Sequence, residues 1–241
     1  MKIMLRPDRA VRAIFAASTL ALCVAGAHAA NAQVGHLPSK SPYEDVKIGQ
    51  ELTVFGGYFN STTGAAGVLP KPSVFGGLRY DLPVGGPAVL TARYSLIPSE
   101  RTIVDPRKPR RTRVLSVANT QTQVVDVGLT LLLTGQKTWH RLIPSLSAGT
   151  GLASDFAKAD TGGYSFGTKF GFTGGASVRY MLRNNWAVRV DATNYLWRNA
   201  YPDAYYAVAS DTSAVLRPDV SKKSWSGTWA WSIGLALPIF R

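Results

Sequence analysis

The sequence predicts an all-β fold. Three observations predict it: large apolar residues alternate with small or polar ones, long and short connections alternate, and no run shows a helical period. The chain has 241 residues, of which 46% are hydrophobic and 17% charged, so wholesale disorder is excluded. Beyond the N-terminal region no run of about 18 apolar residues is present, which excludes a helical membrane protein. The single cysteine, Cys23, excludes a disulfide framework or a cysteine zinc site.

Residues 1–32 have the pattern of a cleavable secretory signal peptide. Lys2 and three arginines precede an apolar stretch at 13–26, and small residues follow as Ala-x-Ala at 27–29 and 30–32. The alternative is an uncleaved anchor helix. Because residues 1–32 contain no Arg-Arg pair, the general secretory route is favoured over the twin-arginine route. We therefore expect an exported protein.

Eight later segments alternate with a period of two, as half-buried strands do. They are preceded by a polar stretch, 33–49, which we expect to be a flexible lead-in. The predicted strands are about 50–59, 73–82, 88–96, 122–133, 142–152, 169–182, 186–197 and 227–240.

The two faces of these strands differ in charge. The face with large apolar residues carries none, whereas the opposite face places charges among Gly, Ser, Thr and Ala. A soluble barrel would show the reverse arrangement, so the apolar face is expected to meet lipid. The sequence thus predicts an eight-stranded antiparallel up-and-down transmembrane β-barrel over 50–241. The expected interior charges are Glu51, Arg79, Asp81, Arg93, Asp126, Arg179, Arg189 and Asp191.

The connections support this prediction independently. Those at 60–72, 97–121, 153–168 and 198–226 are long, and those at 83–87, 134–141 and 183–185 are short. In such barrels short turns face the periplasm and long loops face outward, which makes 33–49 a periplasmic lead-in. Aromatic residues at both ends of the strands are expected at the membrane interfaces. These are Tyr58, Tyr94, Phe170, Trp229 and Trp231 at the long-loop end, and Tyr80, Tyr180 and Trp186 at the short-turn end.

The interior charges sum to zero, and an unpaired buried ion is costly. We therefore expect an ion-paired interior that fills and fixes a narrow barrel. The alternative is a narrow or gated ion pathway lined by the arginines.

The predicted loop 97–121 is strongly basic, and Pro106 and Pro109 would hold it extended. Its bases could bind lipopolysaccharide phosphate in a salt-dependent way, although such charge runs are often only solvated. Nucleic acid is not an expected partner of an exported barrel. The loop at 198–226 carries several tyrosines, which can recognise proteins or glycans. The bases of 97–121 are Arg101, Arg107, Lys108, Arg110, Arg111 and Arg113.

Catalysis is not expected. After residue 32 only His36 and His140 remain, and neither lies on the outward half of a strand beside a serine and an acid. Two distant histidines also make a metal site unexpected. We predict no catalytic residues, no metal and no cofactor.

Three stretches carry a family resemblance: GGASVRYML at 174–182, NWAVRVD at 185–191, and LALPIF at 235–240. With the strand pattern, they make residues 50–241 resemble the small OmpA/OmpX-like outer-membrane barrels of Gram-negative bacteria. The resemblance implies an integral outer-membrane protein in contact with lipid and lipopolysaccharide, assembled by the barrel-assembly machinery. Such chains usually end on an aromatic residue, and Arg241 after Phe240 departs from that pattern. The family fixes location better than activity. We expect a structural or surface-loop role, with a small-solute or ion channel as the alternative and a lipid A-modifying enzyme as a less favoured one.

Overall fold

The computed structural model describes residues 41–240, and for Phe240 it describes the backbone. The predicted signal peptide, the first part of the lead-in and Arg241 lie outside the described residues. Ten strands are present between residues 41 and 240. Eight long strands build the fold: β2 (Gln50–Asn60), β3 (Ser73–Gly85), β4 (Ala88–Val104), β5 (Val114–Leu132), β7 (Leu142–Ser154), β8 (Thr168–Met181), β9 (Ala187–Ala200) and β10 (Lys223–Phe240). Two strands are short: β1 (Tyr43–Asp45) and β6 (Lys137–Trp139).

The eight long strands close into an antiparallel barrel. Each pairs with its neighbour in chain order, and β10 pairs back onto β2, from Trp229 opposite Asn60 to Leu237 opposite Leu52. Closure leaves no free edge around the middle of the wall, because the backbone groups of every strand find partners on both sides. In the described part of the chain no helix is long and apolar enough to span a membrane.

The connections define two ends. Residues 61–72, 105–113, 155–167 and 201–222 join strands at one end, here called the long-loop end. The opposite end, here called the short-turn end, carries the tight β3–β4 turn, the β8–β9 connection around Arg183–Asn185, and the β5–β7 connection that contains β6.

The predicted loop 97–121 is wrong in its bounds. Strand β4 runs on to Val104 and β5 begins at Val114, with Pro98 opposite Gln121 and Ile103 opposite Ser116. Next to the predicted strand ends the outward positions carry Pro98, Glu100, Asn119 and Gln121, and apolar residues return only at Val117 and Leu115. The apolar alternation is therefore interrupted above the predicted strands, while the backbone pairing continues.

The lead-in contains regular structure near its end. Tyr43–Asp45 pairs antiparallel with Lys137–Trp139, and the Val46 N–H donates to the Gln136 carbonyl at 3.0 Å. Val46 and Ile48 then pack against an apolar cluster at the short-turn end. The segment after β1 thus lies against that end of the barrel.

Candidate functional site: barrel interior and long-loop surface

The wall of the barrel has an inverted polarity. On β5 the outward residues Val125, Val127 and Leu129 are 52%, 51% and 58% exposed, whereas the inward residues Asp126 and Thr130 are 4% and 1% exposed. On the other long strands the charged and hydroxyl side chains are mostly buried inside, and most exposed outward side chains are aliphatic or aromatic. This is the architecture of a small outer-membrane β-barrel.

Comparisons with solved structures return proteins of this kind at low similarity. The outer membrane protein OprG from Pseudomonas aeruginosa aligns with a TM-score of 0.46 and 13% identity over 80% of this chain and 96% of its own. The outer membrane protein Ail of Yersinia pestis gives 0.38 and 12% over 79% and 100%. A major outer membrane protein from Thermus thermophilus gives 0.36 and 12% over 78% and 98%. No family model and no curated protein matches the chain.

The predicted interface aromatics all occupy outward positions of this barrel. At the long-loop end Tyr58, Trp229 and Trp231 are exposed on the outer wall, and the two indole rings stack with centroids 6.2 Å apart. Two tyrosines are tied down by hydrogen bonds, Tyr94 to Gln123 at 3.0 Å and Tyr80 to Gln50 at 2.6 Å. The rest of the set, Phe170, Tyr180 and Trp186, is exposed too. Trp225, which falls in the predicted loop 198–226, continues the aromatic surface on β10 and is 52% exposed.

The centre of the interior is an ion network. Arg189 donates from Nη1 to Asp81 at 3.0 Å, from Nε to Asp191 at 2.9 Å, and from Nη2 to the Ser177 hydroxyl at 2.8 Å. Asp81 also accepts from Arg79 Nε at 2.9 Å. Inward positions on β3 and β9 carry these charges, so residues that are distant in sequence meet across the lumen.

The remaining predicted interior charges are paired as well. Arg179 donates to Glu51 Oε1 at 3.1 Å at the short-turn side of the network. On the other side Arg93 forms a fork with Asp126, Nε to Oδ2 and Nη2 to Oδ1 at 3.0 Å each. Its Nη1 donates to Thr193 at 2.9 Å. Every one of the eight predicted interior charges therefore faces an opposite charge. A two-bond contact such as that between Arg93 and Asp126 is a strong form of ion pair.

Two apolar layers lie on either side of the charges. Toward the short-turn end a cluster that includes Ile143 and Ala187 fills the lumen, joined by Val46 and Ile48. Toward the long-loop end the layer is aromatic, which corrects the expectation that the inward face carries only charges and small residues. Its largest members are Phe55, Phe59, Phe75, Phe166, Tyr195 and Trp197.

The long loops pack together as a cap over that aromatic layer. Tyr164, Tyr201 and Tyr205 come from two loops, and their ring centroids lie 6.3 to 6.4 Å apart. Val68 and Leu69 of the first long loop join the same buried cluster. Tyr164 and Tyr205 are fully buried, and their hydroxyls have no hydrogen-bond partner among the described residues. Burial raises the pKa of both phenols.

An ion pair fixes the cap from inside. Arg101 on β4 donates to Asp160 at 2.7 Å, and both side chains are almost fully buried. Asp160 also accepts the N–H groups of Gly162 and Tyr164 at 3.0 Å, and the Arg101 guanidinium lies over the Tyr164 ring at 5.7 Å. Arg101 was predicted among the loop bases that could bind lipopolysaccharide. The structure contradicts this for Arg101, because β4 extends past it and its side chain is buried inside.

The basic residues of the predicted loop separate into two groups. Arg113 is buried and donates to the carbonyls of Ser213 and Ala214 at 3.0 and 2.9 Å, so it holds the β4–β5 turn to the last long loop. A second link joins the Arg110 N–H to the Asp211 carboxylate at 2.7 Å. The other four side chains are exposed at the tip of the turn: Arg107, Lys108, Arg110 and Arg111.

Among residues 41–240 the one histidine is His140. His140 lies in the exposed turn between β6 and β7, where its ring meets Trp139 at 5.0 Å. Among residues 41–240 no group of three or more His, Cys, Asp or Glu side chains could hold a metal ion.

Proposed function

We propose that this protein is an integral outer-membrane barrel whose interior is a structural plug and whose activity lies at its long-loop surface. The single observation that carries the proposal is the inverted polarity of the closed wall. An apolar exterior with paired charges inside is stable in lipid and would be unstable as a soluble barrel, where the exposed apolar wall would aggregate. Short turns on the periplasmic side then place the four long loops outside the cell.

The plug follows from how the lumen is filled. An apolar layer, the ion network, an aromatic layer and the cap succeed one another along the axis, and the largest side chains among them are buried. A water-filled path would need hydrated charges, whereas here the arginine side chains form hydrogen bonds to carboxylates and hydroxyls. We therefore expect no ion conduction, which argues against the channel alternative.

The surface role rests on the four exposed cations of the tip. Val104 lies ten residues beyond Tyr94 along β4, and at about 3.3 Å per residue with the tilt usual for such barrels this is about 25 Å above the outer aromatic girdle. The links from Arg113 and Arg110 to the last long loop hold the tip in place. A fixed cluster of four bases at that height suits a polyanion outside the lipid headgroups, such as the phosphorylated saccharide of lipopolysaccharide.

The insertion and conduction parts are tested together. The mature protein is refolded, insertion is scored by the heat-dependent shift in gel mobility, and single-channel current is recorded in a planar bilayer. An inserted and silent barrel is the expected result. Stable unitary steps that change with Arg93→Gln or Arg189→Gln would replace the plug with a channel, and release from cells without detergent would end the membrane assignment.

The surface part is tested with a quadruple variant, R107Q/K108Q/R110Q/R111Q. Binding to full-length lipopolysaccharide is measured as a function of salt, because cation–phosphate contacts weaken as ionic strength rises. The variant is expected to lose most of the binding and most of its salt dependence. A matched control removes four positive charges at the short-turn end and the last long loop, K47Q/K137Q/R141Q/R217Q. Equal losses in the two variants would show that only net charge matters and would contradict the proposal.

A further inference from the structure

Within residues 41–240, the outward wall of the eight barrel strands carries three charges. They are Glu100 on β4, Arg198 on β9 and Lys223 on β10, and all three are exposed. Glu100 is paired with Lys71 at 3.2 Å. Arg198 and Lys223 form no ion pair within the described residues, so two cations on the lipid-facing side of the barrel have no acidic partner from this part of the chain.

The two cations lie beside each other and next to the aromatic girdle. In the β9–β10 register Arg198 is directly opposite Trp225, and Lys223 is opposite Ala200, two residues further along. The Trp225 ring contacts Phe172 of β8 with centroids 5.9 Å apart, and Phe172 contacts Phe170 at 5.3 Å. The girdle therefore reaches up to Trp225 on this side of the barrel. Arg198 lies level with this upper edge, and Lys223 lies two residues beyond it.

The level of these cations limits what can neutralise them. Interfacial Trp and Phe rings mark the boundary between acyl chains and headgroups, so a cation at their upper edge lies where lipid phosphates lie. Arg and Lys extend their aliphatic stems along apolar surface and leave the charged end at the interface. The exposed tip cations belong to a different part of the wall, because they lie on the β4–β5 turn and three strand steps separate β4 and β5 from β10 and β9.

We infer that Arg198 and Lys223, beside Trp225, form a lateral site for the phosphate groups of lipid A in the outer leaflet. Arg198 offers a planar fork that matches two phosphate oxygens, and Lys223 adds a point charge nearby. The exposed Trp225 face provides apolar contact for the lipid at the same level. The site rests on the membrane placement proposed above and is separate from the tip cluster.

The test measures lipid retention. Wild type and R198Q/K223Q are reconstituted with bis-phosphorylated lipid A, extracted in mild detergent, and the bound lipid A is counted by native mass spectrometry. The same is done with chemically dephosphorylated lipid A. Wild type is expected to retain the phosphorylated lipid about tenfold more than the double variant, and to retain it better than the dephosphorylated lipid.

Two matched variants make the result specific. R107Q/R111Q removes the same charge from the tip and should retain lipid A like wild type, and R198K/K223R keeps both charges and should restore most of the retention. Equal retention by wild type and R198Q/K223Q, or equal loss in the tip variant, would overturn the lateral site. Failure of the proposed function is distinguishable, because it would appear as absence of the heat-dependent gel shift before any lipid is counted.

Discussion

Asp81 and Arg189 are 108 positions apart in sequence, and their side chains meet in the interior of the barrel at 3.0 Å. Asp81 is shared: Arg79 also binds it, and Arg179 Nη2 lies 3.8 Å from its Oδ2. One carboxylate thus links three arginines that come from β3, β8 and β9. The contact couples closure of the barrel to neutralisation of its interior.

Replacing Asp81 by Asn should therefore destabilise the barrel strongly. The substitution removes a negative charge while three buried arginines remain, and breaking a buried pair in this way costs about 3–5 kcal/mol. Urea unfolding in lipid vesicles, followed by tryptophan fluorescence, measures the change. Asp45→Asn is the control, since Asp45 is 90% exposed and pairs with Lys137 at 3.8 Å. An Asp81→Asn barrel as stable as Asp45→Asn would contradict the role assigned to the network.

The cap should depend on Asp160 in a similar way. Asp160→Asn leaves Arg101 buried without its carboxylate and weakens two backbone hydrogen bonds. The free energy needed to open the loop at 155–167 should therefore fall by about 3–5 kcal/mol. Trypsin cleavage after Lys158, followed in intact vesicles, reports this opening. Glu100→Gln is the matched control on the residue next to Arg101, because its exposed pair with Lys71 is worth about 0–1 kcal/mol. Cleavage at the same rate in both variants would show that the ion pair does not hold the loop.

The buried tyrosines make the cap sensitive to alkaline pH. Burial raises the pKa of Tyr205 above its ordinary value of 10.0, and the nearby Asp160 carboxylate raises it further. An opened loop would ionise near its ordinary value, so the contribution of Tyr205 to cap stability is complete below about pH 10 and declines as pH rises above it. Absorbance at 295 nm should show that wild type has a late-titrating phenol that Tyr205→Phe lacks. Tyr205→Phe should also keep the cap closed to higher pH, since its hydroxyl has no partner among the described residues. Titration of Tyr205 together with exposed tyrosines would contradict its burial.

Two adjacent glycines of β2, which pairs with β10 at the closing seam, should differ in how far alanine substitution reduces the folded fraction. A Cβ on the inward Gly57 would lie 1.9 Å from the Trp231 carbonyl oxygen, whereas a Cβ on the outward Gly56 would lie 3.7 Å from its nearest neighbour, the Phe75 carbonyl oxygen. Gly57→Ala must push two backbones apart, so it should reduce the heat-shifted folded fraction severely, while Gly56→Ala should leave it unchanged. Equal folded fractions in the two variants would mean that β2 and β10 are further apart at Gly57 than the structure shows.

The strands could be predicted because lipid imposes a strict rule on one face. Val125, Val127 and Leu129 must all be apolar, and that alternation locates a strand and its facing without any tertiary information. Above the membrane no apolar alternation is required, because outward residues such as Pro98 and Gln121 face water. The extension of β4 and β5 was missed for this reason, and with it the inward orientation of Arg101.

The interior was less predictable than the wall. Charge balance predicts that the arginines pair, but not that Arg93 binds Asp126 while Arg189 binds Asp81, since that depends on register and side-chain reach. The aromatic layer had a visible signal in the sequence, because Phe55, Phe75 and Trp197 occupy inward positions of predicted strands. The partner of Arg101 had none, because Asp160 lies in a loop with no period to place it.

The closing seam has a consequence for the order of biogenesis. It joins Asn60 to Trp229 and Leu52 to Leu237, residues from the first and last barrel strands, so it cannot form until the last barrel strand is available. The strands of every other long-strand pair are consecutive long strands in the chain and can pair locally. Pairing of β2 with β10 closes the largest loop and so has the largest entropic cost. Until β10 arrives, β2 and β9 both present unpaired backbone groups, which the hydrocarbon region of a bilayer does not tolerate. These two edges therefore have to stay covered, or outside the hydrocarbon region, until the seam pairs.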